Sequence, residues 1–116
     1  MPLKKSVLSP FFNTLPTLSY IKNQEKEYVH VNLAFQKYIG FHSWLMRRAS
    51  HLFDTRTAEA LEEIDRLTRY EGQYLHTIDL PKDNGTYAPI VLYTFVIDIE
   101  GKKYICGVGV NKSFKL

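Results

Sequence analysis

The chain has 116 residues, 45% of them apolar, with 15 Lys and Arg against 12 Asp and Glu and a single cysteine, Cys106. That length and composition suit one domain with one core and exclude a disordered chain. No apolar run approaches the roughly 20 residues that span a bilayer, and Val7–Phe12 is too short for a secretory core and is broken by Ser9 and Pro10. With no second cysteine for an internal disulfide, a soluble, cytoplasmic segment is expected, without membrane insertion. The net charge of +3 is not a nucleic-acid signal. Lys4, Lys5, Lys112 and Lys115 lie in the tails, and the body between them carries about one net negative charge. Clustered cations on one element, which a nucleic-acid face needs, are absent.

In chain order, Leu8, Phe11, Phe12 and Leu15 follow an i, i+3, i+4, i+7 spacing and predict a short amphipathic cap over residues 1–16. Pro16 ends it. Leu18–Asn23 and Glu27–Asn32 are apolar, alternating runs joined by Gln24-Glu25-Lys26, a strand–turn–strand pattern. Asn32 is placed to cap a helix over Leu33–Ile39, with Gly40 as its stop. His42–Asp54, dense in Trp44, Leu45, Met46, Leu52 and Phe53, predicts one or two short helical turns. A longer helix runs from Asp54 or Thr55 to about Tyr70, its buried stripe Leu61, Ile64 and Leu67 or Thr68. Thr55 or Thr57 with Glu59 is its expected cap, the pairs Glu62–Arg66 and Asp65–Arg69 support its exposed face, and Gly72 ends it.

Three strands close the chain: Tyr74–Leu80, Thr86–Asp98 and Lys102–Val110, joined by Asp83-Asn84-Gly85 and Glu100-Gly101. A tight turn on Glu100-Gly101 pairs Ile97 with Tyr104 and Thr94 with Gly107. Side chains alternate along a strand, so Leu92, Thr94 and Val96 share one face with Ile105, Gly107 and Gly109. Tyr93, Phe95 and Ile97 share the other with Tyr104, Cys106 and Val108. Both faces are apolar, and both require cover. Helices on one face of a mainly antiparallel sheet make an α+β domain. The other face, with Tyr93, Phe95, Tyr104 and Val108, calls for the N-terminal cap or a second subunit, so a homodimer is expected.

The segments L-P-T-L-S-Y-I-K-N at 15–23, E-Y-V-H-V-N-L-A-F at 27–35, D-N-G-T-Y at 83–87 and D-I-E-G-K-K-Y-I-C-G-V-G-V-N at 98–111, in this order and spacing, resemble a PAS domain, the small sensory module of bacterial signalling proteins. Three departures stand out. Asn23 replaces the usual Asp, Asn111-Lys112-Ser113 replaces the Asp-Ile-Thr that links to an output helix, and Arg47-Arg48-Ala49-Ser50 lacks a common glycine. The resemblance implies a five-stranded antiparallel sheet in the order 2-1-5-4-3, a sensor domain over 17–111, and the start of a connector at 112–116. It also implies sensing rather than catalysis. Such a module binds a small molecule, dimerises and controls a histidine kinase, a cyclic-dinucleotide enzyme or a DNA-binding domain in the same longer chain.

The candidate pocket lies against Gly107 and Gly109 under the long helix. Glycines on the inner face of a central strand leave a gap that neighbours or a ligand fill. Phe35, Phe53, Leu61, Ile64, Leu92 and Ile105 form its apolar wall, with hydroxyls from Tyr20, Tyr38, Thr77 and Thr94. Haem-binding relatives carry their ligand on the long helix, which here has no histidine; His51, just upstream, is the one candidate. Flavin photosensors carry a middle-helix Cys and a last-strand Gln, and Gly109 stands where that Gln would be. Neither cofactor is expected, no metal site is expected, and an unidentified small molecule is the candidate ligand. Two other classes stay open: a ligand-free dimerisation module, and a cofactor-independent α+β enzyme. A buried carboxylate with a raised pKa would mark the enzyme, whereas Asp54, Glu59, Glu62, Glu63, Asp65 and Glu71 read mostly as a solvated helix face.

Overall fold

A computed structural model describes residues 17–40 and 43–112. The predicted cap with Leu8, Phe11, Phe12 and Leu15, residue His42, and the connector beyond Lys112 lie outside the described residues. The elements are β1 (Leu18–Lys22), β2 (Tyr28–Val31), α1 (Leu33–Tyr38), α2 (Ala49–Leu52), α3 (Thr55–Glu71), β3 (Gln73–Pro81), β4 (Tyr87–Ile99) and β5 (Lys102–Asn111). The strands form one antiparallel sheet in the order β2-β1-β5-β4-β3, with β1 and β5 paired in its middle as expected.

Local chemistry sets the boundaries. The Asn32 side chain accepts the Phe35 N–H at 3.0 Å and the Ser19 N–H at 3.1 Å, and donates to Thr17 O at 2.6 Å. One fully buried amide therefore caps α1 and ties it to β1. The cap of α3 is Asp54, not the Thr55 or Thr57 box: its carboxylate accepts the Thr57 N–H at 2.8 Å and the Thr57 hydroxyl at 3.0 Å. An aspartate one residue earlier satisfies the same orphan donors with a full charge at the positive helix end. Gly72 ends α3 in the left-handed region with φ 88°. Between α1 and α2 the chain runs along the edge of β2, Met46 N–H bonding Tyr28 O and Tyr28 N–H bonding Arg47 O, both at 2.8 Å.

The β4–β5 register is the one expected, Ile97 opposite Tyr104 and Thr94 opposite Gly107. Leu92, Thr94, Ile105, Gly107 and Gly109 are buried under the helices. Their core partners are Tyr20, Tyr28, Val31 and Phe35 from the first half and Ala58, Leu61 and Ile64 from α3. The outer face is less covered: Leu75 is 64% exposed and Tyr93 39%. The β3–β4 register corrects one expectation. Tyr74 pairs with Thr94 and Ile78 with Ile90, so Thr77, opposite Val91, points to the outer face and is exposed. It takes no part in the interior.

Candidate functional site in the core

Two charged side chains are buried where β1 meets α3. On β1, Leu18, Tyr20 and Lys22 alternate onto the inner face, opposite Gly109, Gly107 and Ile105. On α3, Leu61, Ile64, Asp65 and Thr68 form the buried stripe. Lys22 Nζ and Asp65 Oδ2 meet at 2.8 Å with both side chains 1% exposed. The ammonium also lies 4.7 Å from the Tyr28 ring centroid and 5.6 Å from that of Tyr20, over electron-rich faces. Burial alone pushes Lys22 down, but Tyr28 and Asp65 outweigh it and hold the ammonium above the ordinary lysine value.

Asp65 was expected to pair with Arg69 on the exposed helix face. Instead Arg69 donates to Gln24 O at 3.0 Å, Glu63 pairs with Arg66, and Asp65 turns inward. The signal was present in the sequence. Asp65 sits at i+4 from Leu61 and i−3 from Thr68, inside the apolar stripe, and Lys22 continues the inner alternation of Leu18 and Tyr20. Opposite charges on two faces that must meet are the mark of a buried pair.

Two polar atoms in this cluster have no hydrogen-bond partner among the described residues: Asp65 Oδ1 and Tyr20 Oη. Burial pushes the Tyr20 phenol well above its ordinary value, and the Asp65 charge adds to the effect. The other hydroxyls are committed. Thr68 Oγ1 donates to Ile64 O at 2.6 Å and shares a 2.5 Å bond with Thr94 Oγ1. Tyr38 donates to Leu80 O at 2.7 Å, which removes it from the interior role proposed for it and makes it a tie between α1 and β3.

Next to the cluster lies an apolar cavity. Tyr20 and Tyr28 border it, with Leu18, Phe35, Phe53, Leu61, Ile78, Leu80, Ile90, Leu92 and Gly109. Six of the twelve expected residues line it: Tyr20, Phe35, Phe53, Leu61, Leu92 and Gly109. Ile64, Thr94, Ile105 and Gly107 are buried beside it without lining it. The free space is about 10 Å³, close to one water. The gaps over the glycines are filled, though not by Phe35 or Phe53. The Tyr20 ring lies directly over Gly107, and Ile90 Cγ2 would stand 2.7 Å from a Cβ on Gly109. A larger groove of about 450 Å³ opens at the hairpin tip between Gln24, Arg69, Val96, Lys103, Tyr104 and Ile105, with Ile105 directly opposite Lys22 of β1.

The residues weighed for cofactors sit elsewhere. His51 is exposed at the end of α2, its Nδ1 accepting the Arg48 N–H at 3.1 Å. Cys106 shares the outer face with its partner Phe95, and burial pushes its thiol up to about 11. Among the described residues no group of three or more His, Cys, Asp or Glu side chains is arranged to hold a metal ion.

Neither a family model nor a curated protein sequence matches the chain. Its fold matches many solved structures. The PAS domain of BvgS from Bordetella pertussis superposes with a TM-score of 0.73 at 16% identity, over 95% of this chain and 87% of that one. The PAS domain of a protein from Colwellia psychrerythraea gives 0.75 at 12% identity, over 91% and 94%. VqmA of Vibrio cholera, in a complex with ligand and DNA, gives 0.79 at 16% identity, over 95% of this chain and 52% of that one. Five strands in the order 2-1-5-4-3, with three helices packed on one face and these structural neighbours, identify the chain as having the PAS-domain fold.

Proposed function

We propose that this chain is the sensory module of a bacterial signalling protein. It takes a small organic ligand between the sheet and α3, dimerises through the outer sheet face, and controls an effector in a longer chain: a histidine kinase, a cyclic-dinucleotide enzyme or a DNA-binding domain. It is cytoplasmic and not an enzyme, binds no nucleic acid itself, and uses neither haem, flavin nor metal. The observation that carries this reading is the pair of unpartnered buried polar atoms, Asp65 Oδ1 and Tyr20 Oη, in a cluster that shares Tyr20 and Tyr28 with the lining of an apolar cavity. Buried polar groups almost always find partners, and a mostly apolar site with a few polar anchors is the common design for small ligands. VqmA, which has the same fold, has been solved bound to DPO. The catalytic reading loses support because the buried carboxylate is ion-paired to Lys22 rather than isolated.

A second reading, a ligand-free dimerisation module, is favoured by the Tyr20 ring and the Ile90 side chain, which fill the space over Gly107 and Gly109. Thermal melting against a metabolite panel separates the two. A ligand present at 100 times its Kd stabilises the fold by about 2.7 kcal/mol, a shift that is readily measured. A panel in which no compound raises the melting temperature, together with a tight dimer in sedimentation, establishes the interaction module instead.

A further inference from the structure

The Lys22–Asp65 pair does more than close the core. Lys22 saturates only one oxygen of the carboxylate, and Oδ1 is left needing a donor. Tyr20 lies close enough for the Asp65 charge to act on its phenol, yet the two do not hydrogen-bond. Its hydroxyl is free to donate or accept. The neighbouring hydroxyls of Thr68 and Thr94 are bonded to each other, so these two atoms define the polar demand at this end of the interior. The charges here already cancel. A charged guest would bury a net charge in a site shielded from water, which is strongly opposed. Tyr20 and Tyr28 are shared between this cluster and the apolar cavity with Phe35, Phe53 and Leu61.

Resting on the sensory reading above, we propose that Asp65 Oδ1 and Tyr20 Oη form the polar end of the ligand site and select an uncharged molecule. That molecule carries an N–H or O–H donor beside an acceptor, on a small apolar body. The donor bonds Asp65 Oδ1, and the acceptor takes the Tyr20 hydroxyl. The space of about 10 Å³ requires a wall to move. Phe53 is that wall: it is half-buried on the two-residue link between α2 and α3, its N–H bonded to Ala49 O at 2.9 Å.

Four probes of one shape test the assignment: benzamide, benzoate, benzamidine and toluene. They are titrated into the whole chain carrying ¹³C-labelled aspartate, with the Asp65 carboxyl resonance and the melting temperature as readouts. Benzamide is expected to move the Asp65 resonance, raise the melting temperature and bind at least about tenfold tighter than either charged isostere. Tyr20→Phe, which removes one hydroxyl from a buried ring, is expected to weaken benzamide about threefold to tenfold, the worth of one hydrogen bond, and to leave toluene unchanged. Benzoate or benzamidine equalling benzamide overturns the selection for neutral guests. Toluene binding as well as benzamide overturns the polar assignment while leaving the sensory reading intact. No shift with any probe, the result a permanently held water gives, overturns this inference, and the metabolite panel then judges the broader reading by itself.

Discussion

Replacing Asp65 by alanine strands the Lys22 ammonium in the core. Both side chains of the pair are 1% exposed, so neither charge is relieved by simple exposure, and Lys22 is left with the neutral Tyr28 and Tyr20 side chains. Removing one partner of a buried pair costs about 3–5 kcal/mol. A domain of this size holds about 5–15 kcal/mol in total, so the variant should stand close to unfolding. The converse change, Lys22→Met, strands both oxygens of Asp65 and should cost a similar amount. The double variant Lys22→Met with Asp65→Leu removes both charges and keeps the volume. Buried pairs replaced in this way are often neutral or more stable by about 1–4 kcal/mol, so the double should recover most of the loss. Urea denaturation of the parent, Lys22→Met, Asp65→Leu and the double variant measures the cycle, with an unchanged m-value certifying comparable unfolding. Single variants that each lose under about 1 kcal/mol, with an additive double, would show that water reaches the pair and that the charges are not confined as described.

Other outcomes follow from the same packing. Gly107→Ala puts a methyl group into the Tyr20 ring; the ring must shift, and overpacking of this kind costs about 1–3 kcal/mol, visible as a lowered urea midpoint. Asn32→Ala removes the cap of α1 and leaves the buried Ser19 N–H unpaired; about 2 kcal/mol or more should be lost, whereas an exposed control such as Ser50→Ala should lose almost nothing. Alkaline pH should unfold the domain in a defined window. Tyr20, Tyr28, Lys22, Tyr38 (to about 12) and Cys106 (to about 11) all bind their protons more tightly when folded. The unfolded chain therefore releases these protons first, and the stability they contribute is present below pH 9 and falls as the pH climbs from about 9 to 12. A melting temperature flat across that range would contradict the burial assigned to these groups. Deleting residues 1–14 should change the sedimentation of the protein, because the outer face with Tyr93 and Leu75 exposed needs cover from the cap or a second copy; a sharp monomer before and after deletion argues against that interface.

The sheet was legible because its signals are local. The Glu100-Gly101 turn fixed the β4–β5 register, and period-two alternation then assigned Leu92–Ile97 and Tyr104–Gly109 to the correct faces. The β3–β4 register was not legible in the same way. The Asp83-Asn84-Gly85 turn does not by itself decide which residue of β3 faces inward, and Thr77 was assigned to the wrong side. The helix pairs show a similar limit. Asp65 fits an i, i+4 pair with Arg69 as well as any exposed carboxylate does; its place inside the apolar stripe signals burial, but the meeting of β1 with α3 is what assigns Lys22 as its partner. Spacing along one element says which residues share a face. It does not say which charge on another element that face will meet. The filling of the glycine gaps by Tyr20 and Ile90 is likewise a matter of side-chain rotamers, which the pattern of residues leaves open.

Native mass spectrometry of the chain purified under non-denaturing conditions tests the sensory reading most directly. The expected spectrum carries a small, uncharged organic molecule that travels with the folded protein, disappears on denaturation, and is lost or weakened in Tyr20→Phe. A folded chain at its bare mass, unchanged after exposure to a metabolite extract, would contradict the account.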